Sequence, residues 1–325
     1  MIRNRFIVPV LSSLCFLGLL SFAAQWTHAQ EYPTRTVRII TAEAGGGSDL
    51  PLRVVAPALG ASLGQPFVID NRSGGIVAVD VAAKQPPDGY TLLMFGNSMW
   101  TLPLMRTRMN YEVAKDFSPI SILIITPTIL VVHPSLPVNS VKELIAFVKA
   151  RPGQLNYGSA GAGSGNHMAA ELFKSMAGVN LVRVTYKGHA SALNATATGE
   201  MQVFFPVVGP GMAQAKAGRL RALAVTTAQP SQLAPGLPTM ASAGLPGYVS
   251  VFRAGLFAPS GTPAAIVNRL SRETVQILQR TDVREKLFSM GMEVVGSTPQ
   301  EFTATINAEV AQMGKVIREA GIRDE

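Results

Sequence analysis

Two glycine clusters carry the chemistry open to this sequence. Residues 41–53 read TAEAGGGSDLPLR and residues 157–168 read YGSAGAGSGNHM. Each cluster follows a short apolar run and precedes a segment of helical pattern, which predicts a strand–loop–helix turn at both places. Such a loop aims backbone N–H groups, together with the positive end of the helix dipole, at whatever lies above it. Glycine has no Cβ, so a ligand can approach the main chain closely. The chemistry implied is the holding of an anion. Ser48 and Ser164 are the expected N-caps. Pro51 falls in the first turn of its helix, where the N–H groups lack intrahelical partners anyway. One such loop alone is as readily a tight turn as a site. Two of them, in a chain without a catalytic constellation, favour a clamp.

Rival chemistries fail on residue type. In GAGSGN, Asn166 stands where a dinucleotide-binding fingerprint places its last glycine, and no GK[ST] follows either cluster. G-x-S-x-G, the nucleophile elbow, does not occur. Cys15 is the only cysteine and lies in the leader, which removes disulfides, thiolate catalysis and cysteine metal sites from the mature chain. His133, His167 and His189 are then the only imidazoles and form no HxxxH pair, so neither metal nor cofactor is expected. Asp49 is equally suited to orienting a ligand and to complementing a helix N-terminus. His167 is equally suited to a ligand hydrogen bond and to one with the backbone. Trp100 and Phe95 read as core before cleft lining, and Arg72 as half of a salt bridge. Glu301 and Glu309 read as caps and solvated faces. Lys187-Gly188-His189 follows an expected strand, close to where a cleft rim would lie.

The elements that must position these loops alternate strand and helix. VRIIT (37–41), FVID (67–70) and YTLLMF (90–95) are separated by amphipathic stretches at 50–62 and 75–84. PTILVVHP (127–134), LNYGS (155–159), LVRVTY (181–186), MQVFF (201–205) and RALAVTT (221–227) continue the series, with helices from Ser140 and over 165–177, 190–198 and 211–217. The alternation predicts βαβ units and an α/β fold. Residues 228–248 are rich in Pro and Gly and read as an irregular connection; SVFRAGLFAP (250–259) returns to strand. Three helices close the chain: one opened by Thr262-Pro263, one over 282–290, and one with a Thr298/Glu301 capping box.

Of 325 residues, 47% are apolar and 15% charged, enough for a substantial core and against disorder. Arg3 and Arg5, an apolar run and Thr27-His28-Ala29 mark residues 1–29 as a cleavable export signal. Without them the formal charge falls from +8 to about +6, with the basic residues dispersed and no aromatic interleaving. No nucleic-acid partner is expected.

Longer stretches carry a family resemblance: YPTRTVRII, GGGSD followed by Arg53, LGQPFVIDNRSG, PPDGYTLL and YEVAKDFSPIS, then LVVHPSLP, LNYGSAGAGSGNHMAAELFKSMAGV, VRVTYKG, AGRLRALAVTT, LPTMASAGLPGY and GLFAPSGTP. Almost end to end the chain resembles the Bug family, the TctC-like periplasmic solute receptors of tripartite tricarboxylate transporters. The resemblance implies a two-lobed, type II periplasmic-binding-protein-like (Venus flytrap) fold. Each lobe would be a mainly parallel sheet flanked by helices, with two strands crossing between lobes. Lobe 1 would comprise residues 30–128 plus 254–325 and lobe 2 residues 129–253, with the C-terminal helices packed back on lobe 1. Ligand contacts would come from Ala44, Gly45, Gly46, Gly47, Ser48 and Asp49 on one lobe. On the other they would come from Ser159, Ala160, Gly161, Ala162, Gly163 and Ser164, with His167 nearby. Relatives often carry V-D-x-x-x-D where this chain has Gln202 and Pro206; Phe205-Pro206-Val207 implies a more apolar wall with Pro206 beside the ligand. The expected molecule is not an enzyme. It is a periplasmic monomer that captures a small organic acid and passes it to membrane permease subunits. The alternatives are a receptor presenting the same ligand to a membrane sensor and, less favoured, an exported enzyme on this scaffold.

Overall fold

The computed structural model describes residues 32–72, 76–160, 163–186 and 188–323. The export signal, Gly161, Ala162 and Lys187 therefore lie outside the described residues. The strands are β1 (Val37–Thr41), β2 (Phe67–Asn71), β3 (Thr91–Gly96), β4 (Phe117–Pro127), β5 (Ile129–Val132), β6 (Asn156–Ser159), β7 (Val182–Thr185), β8 (Val203–Phe204), β9 (Arg221–Val225), β10 (Val251–Pro259) and β11 (Glu293–Val294). The principal helices are α1 (Asp49–Leu63), α2 (Val77–Ala83), α3 (Val141–Lys149), α4 (Gly165–Ala177), α5 (His189–Ala197), α6 (Val208–Lys216), α7 (Ala264–Gln279), α8 (Thr281–Ser289) and α9 (Pro299–Glu319). No helix among the described residues is long and apolar enough to cross a membrane.

Two sheets form. One has the order β11-β4-β10-β3-β1-β2 and the other β7-β6-β8-β5-β9. The βαβ units give parallel pairs, with Ile39 of β1 opposite Ile69 of β2 and Leu92 of β3, and with β6 parallel to β7 and β8. The sheets are nonetheless mixed, where mainly parallel ones are expected. β10 comes back along β4 and β3 in the opposite sense, and β5 runs antiparallel to β8 and β9. The antiparallel partners follow from connectivity, because the strands that enter and leave the second sheet must point opposite ways. β4 itself has no counterpart in the sequence alternation. Pro119 interrupts its pattern, and the pairing with β10 slips in register between Leu256 and Phe257, beside Pro119, where a missing N–H is tolerated.

Thr128 alone separates β4 from β5. Its N–H donates to Thr226 Oγ1 (3.2 Å), its carbonyl accepts the Thr226 N–H (3.0 Å), and Thr226 in turn accepts from the Ser250 N–H (3.0 Å). Thr128, Thr226 and Ser250 thus bind the two sheets together at the seam where the chain passes between them.

Each sheet has its own core. Ile40, Leu93, Phe95, Trp100, Phe117 and Phe257 pack with Phe302 and Ile306 of α9 on the first. Leu130, Val132, Tyr157, Phe173 and Phe205 pack with Met313, Val316 and Ile317 of the same helix on the second. The C-terminal helices do pack on the first sheet, as α7 does against β4 and α1, but α9 spans both cores. Local signals behave as their chemistry requires: Thr298 and Glu301 complete a capping box, and Ser140 Oγ accepts the Glu143 N–H. Pro263 is the N-cap residue of α7, one position before the expected one.

Candidate functional site

The first glycine loop is held by Asp49. This side chain is fully buried; Oδ2 accepts from the Gly45 N–H (2.7 Å) and Arg53 Nε (2.7 Å), and Oδ1 accepts from Asn71 Nδ2 (2.8 Å). Burial alone would raise its carboxyl pKa, but the donors from Arg53, Asn71 and Gly45 outweigh it and hold Asp49 below the ordinary carboxylate value. Asp49 is an anchor for the loop. Ser48 is in the N-cap position without a side-chain capping bond. Ahead of it, Gly45 has φ +78° and the Gly46 N–H returns to the Glu43 carbonyl. Gly47 faces outward against the Phe252 ring, where a Cβ would come within 3.0 Å; one on Gly96 would come within 2.5 Å of the same ring. Phe252 is thus slotted between two glycines.

The second loop is organised by Asn166 and His167. Gly163 (φ +71°) donates its N–H to His167 Nδ1 at 3.0 Å. The imidazole is 1% exposed, and its Nε2 lies 2.9 Å from Arg183 Nη1. Burial first, then the Arg183 charge, lowers its pKa to about 4, so it is neutral at pH 7 and braces the loop from behind. Ser164 makes no capping bond through its side chain; its Oγ meets Asn166 Oδ1 at 2.6 Å. Asn166 is wholly buried, and Oδ1 also accepts the N–H groups of Ala160 (3.3 Å) and His167 (3.0 Å). Its Nδ2 has no partner among the described residues. A buried amide donor left idle costs about 1–3 kcal/mol.

A cavity of about 540 Å³ lies where the loops meet. Of the expected residues it is lined by Gly47, Gly163 and Ser164. None of the remaining described ones lines it: Ala44 and Gly45 are exposed on their loop, Gly46 is half-buried, Ser48 and Asp49 are buried beneath it, Ser159 and Ala160 stand at the end of β6, and His167 is buried in the first turn of α4. Pro206 is also off the wall, its carbonyl accepting the Ile129 N–H (3.0 Å), while Val207 beside it does line the cavity. Gly165 and Asn166 at the start of α4, Asn97, Thr128, Ser250 and Phe252 are among the residues that line it, and His189 reaches it at the start of α5. Sequence reasoning missed Asn166 as a donor, although its departure from the glycine fingerprint was the available signal. It also misjudged Glu309. Rather than facing solvent, Glu309 lines the cavity, pairs with Arg253 and accepts from Trp100 Nε1 (2.7 Å). Burial raises its carboxyl pKa, against the opposing pull of Arg253, Trp100 and Asn97. Phe302, Ile306, Glu309 and Met313 share one stripe of α9, so the inward position of Glu309 follows from helical period.

A larger and more open depression of about 720 Å³ is lined by His167 of the second cluster together with Glu171, Lys174, Arg183 and Arg323, and takes nothing from the described residues of the first glycine loop. Among the described residues no group of three or more His, Cys, Asp or Glu is placed to hold a metal.

The sequence profile described as "Tripartite tricarboxylate transporter family receptor" matches residues 52–322. The chain is 34% identical over 314 residues to Protein BugT of Bordetella pertussis, covering 95% of this chain and 96% of that one. Among solved structures, R. palustris Rpa4515 with adipate is 38% identical with a TM-score of 0.72, covering 90% of this chain and 99% of that chain. The periplasmic binding protein BugD is 28% identical with a TM-score of 0.69, covering 90% and 100%. Two mixed sheets meeting at a lined cavity are thus a shared architecture for holding a solute and not an enzyme's catalytic centre, and this chain belongs to the tripartite tricarboxylate transporter receptor (TctC/Bug) family.

Proposed function

We propose that this protein captures a small organic acid in the cavity between its two sheets, with the carboxylate on Asn166 Nδ2 and the N-terminus of α4, opposite Gly47. The observation that carries this reading is Asn166, a wholly buried residue of the cavity lining whose Nδ2 has no partner among the described residues. A carboxylate oxygen there accepts a charge-assisted hydrogen bond, and the helix dipole adds to it. The bound adipate of the R. palustris relative supports a carboxylate over other anions. Lining from both sheets means that the solute favours the closed arrangement, because contacts made on only one side would not shift an open–closed equilibrium.

Delivery to permease subunits of a tripartite tricarboxylate-type transporter, after export to the periplasm through residues 1–29, is the cellular role this family membership favours. Presentation of the same ligand to a membrane sensor would use an identical cavity; binding of the liganded protein to its permease separates the two. The proposal is tested by thermal melting of the full mature chain against organic acids, with the matching amides as controls. The acids should raise the melting temperature and the amides should not, since a ligand selective for the folded state stabilises it. A panel in which no carboxylate raises it would overturn the reading.

A further inference from the structure

We infer that the preferred solute is a monocarboxylate with an apolar body, its charged end on Asn166 and α4 and its remainder along the Met168, Val249, Phe252 and Met313 wall. The inference rests on the proposed carboxylate site and adds what the rest of the cavity recognises. Three observations carry it. Among the described residues, the lining includes no lysine or arginine, and Glu309 is its only acidic side chain. The Arg253 guanidinium is committed to Glu309, which Trp100 Nε1 also engages. Away from α4, the wall is mostly thioether, phenyl and isopropyl groups, relieved by neutral amides and hydroxyls (Asn97, Ser98, Thr101, Thr126, Thr128, Ser250 and Gln312) and by His189, whose imidazole pKa is lowered by burial.

A carboxylate that leaves water needs a cation or several donors to replace its hydration. The α4 end supplies them once. A second carboxylate at the far end meets methionine, valine and a Glu309–Arg253 pair that is already neutral. Methionine is flexible and polarisable, so this wall adapts to chain and ring alike. Specificity here comes from what the cavity withholds, because a site rejects a ligand by leaving one of its polar groups unpaired.

Hexanoate and adipate share a six-carbon chain and differ by the second carboxylate. Calorimetric titration of the full mature chain should give hexanoate an affinity at least about tenfold above adipate. Adipate binding as tightly or more tightly would overturn the inference and leave the carboxylate site standing. A failure of both acids, with no other mono- or dicarboxylate bound, would overturn the site itself. 6-Aminohexanoate should bind no tighter than hexanoate, since Arg253 already neutralises Glu309; tighter binding would mean that the far end recognises an ammonium, against the inference. Glu309→Gln keeps the shape and releases the Arg253 guanidinium, so the gap between hexanoate and adipate should narrow by at least about threefold. An unchanged gap in that variant would count against Glu309 and Arg253 as its source.

Discussion

Asn166→Asp changes the chemistry of one atom and little else. Oδ1 keeps the three donors it already accepts, from Ala160, Ser164 and His167, so the loop retains its internal bonds. Nδ2, the donor without a partner among the described residues, becomes a carboxylate oxygen, which on the proposed reading meets the acid. Losing a hydrogen bond to a charged group costs about 1.5–3 kcal/mol. Two like charges about 3 Å apart at an effective dielectric near 20 repel by roughly 5 kcal/mol. Protonation relieves that repulsion, but at pH 7 it costs about 4 kcal/mol from an ordinary aspartate value. By either route the affinity for a monocarboxylate should fall by at least about 100-fold. The assay is calorimetric titration at pH 7, with the ligand-free melting temperature as the control for folding. Affinity within about threefold of the parent, at an unchanged melting temperature, would refute the assignment of Asn166 to the carboxylate.

Three further outcomes follow from the same geometry. His167 has a pKa near 4 in the fold against 6.5 ordinarily, so between those pH values the unfolded chain binds a proton that the native state refuses. Stability should therefore fall as pH drops from about 6.5 to about 4, by up to ~3 kcal/mol, with no contribution above that window; urea titrations of His167→Gln should lack this slope, and parallel acid losses in both proteins would contradict the account. Asp49→Ala strands the Gly45 N–H, Arg53 and Asn71 together and should cost about 2–3 kcal/mol in urea unfolding, since Arg53 is half exposed and rehydrates; no loss would remove Asp49 as the loop's anchor. Gly96→Ala places a Cβ 2.5 Å from the Phe252 ring, which must then swing; stability should drop by about 1–3 kcal/mol with weakened acid binding, and parental binding would show that Phe252 does not shape the cavity.

The strands that fill the parallel parts of both sheets were legible because short apolar runs between amphipathic stretches have few other uses. β1, β2 and β3 start and stop within a residue or two of VRIIT, FVID and YTLLMF. β4 was not legible: Pro119 breaks its pattern, and only the slipped register against β10 shows how the missing N–H is accommodated. The mixed character of the sheets was hidden for a related reason. Strand direction is set by where the chain crosses at Thr128 and returns to β10, and local periodicity does not encode that. At the site, the glycines announced two loops but not which atoms face the cavity. Residue type left Asp49 and His167 open between ligand and scaffold, and their hydrogen bonds show both bracing the loops. Glu309 was misjudged because charge was weighed before period: seven residues from Phe302 and four before Met313, it sits on the buried stripe of α9.

The central claim is that one carboxylate rests between the Gly47 loop and the start of α4. A crystal structure of the mature protein with hexanoate tests it most directly. A carboxylate oxygen should lie within hydrogen-bonding distance of Asn166 Nδ2, with the alkyl chain against Phe252 and Met313. An acid held instead in the outer depression beside Lys174 and Arg183, or turned with its alkyl end toward Asn166, would contradict it.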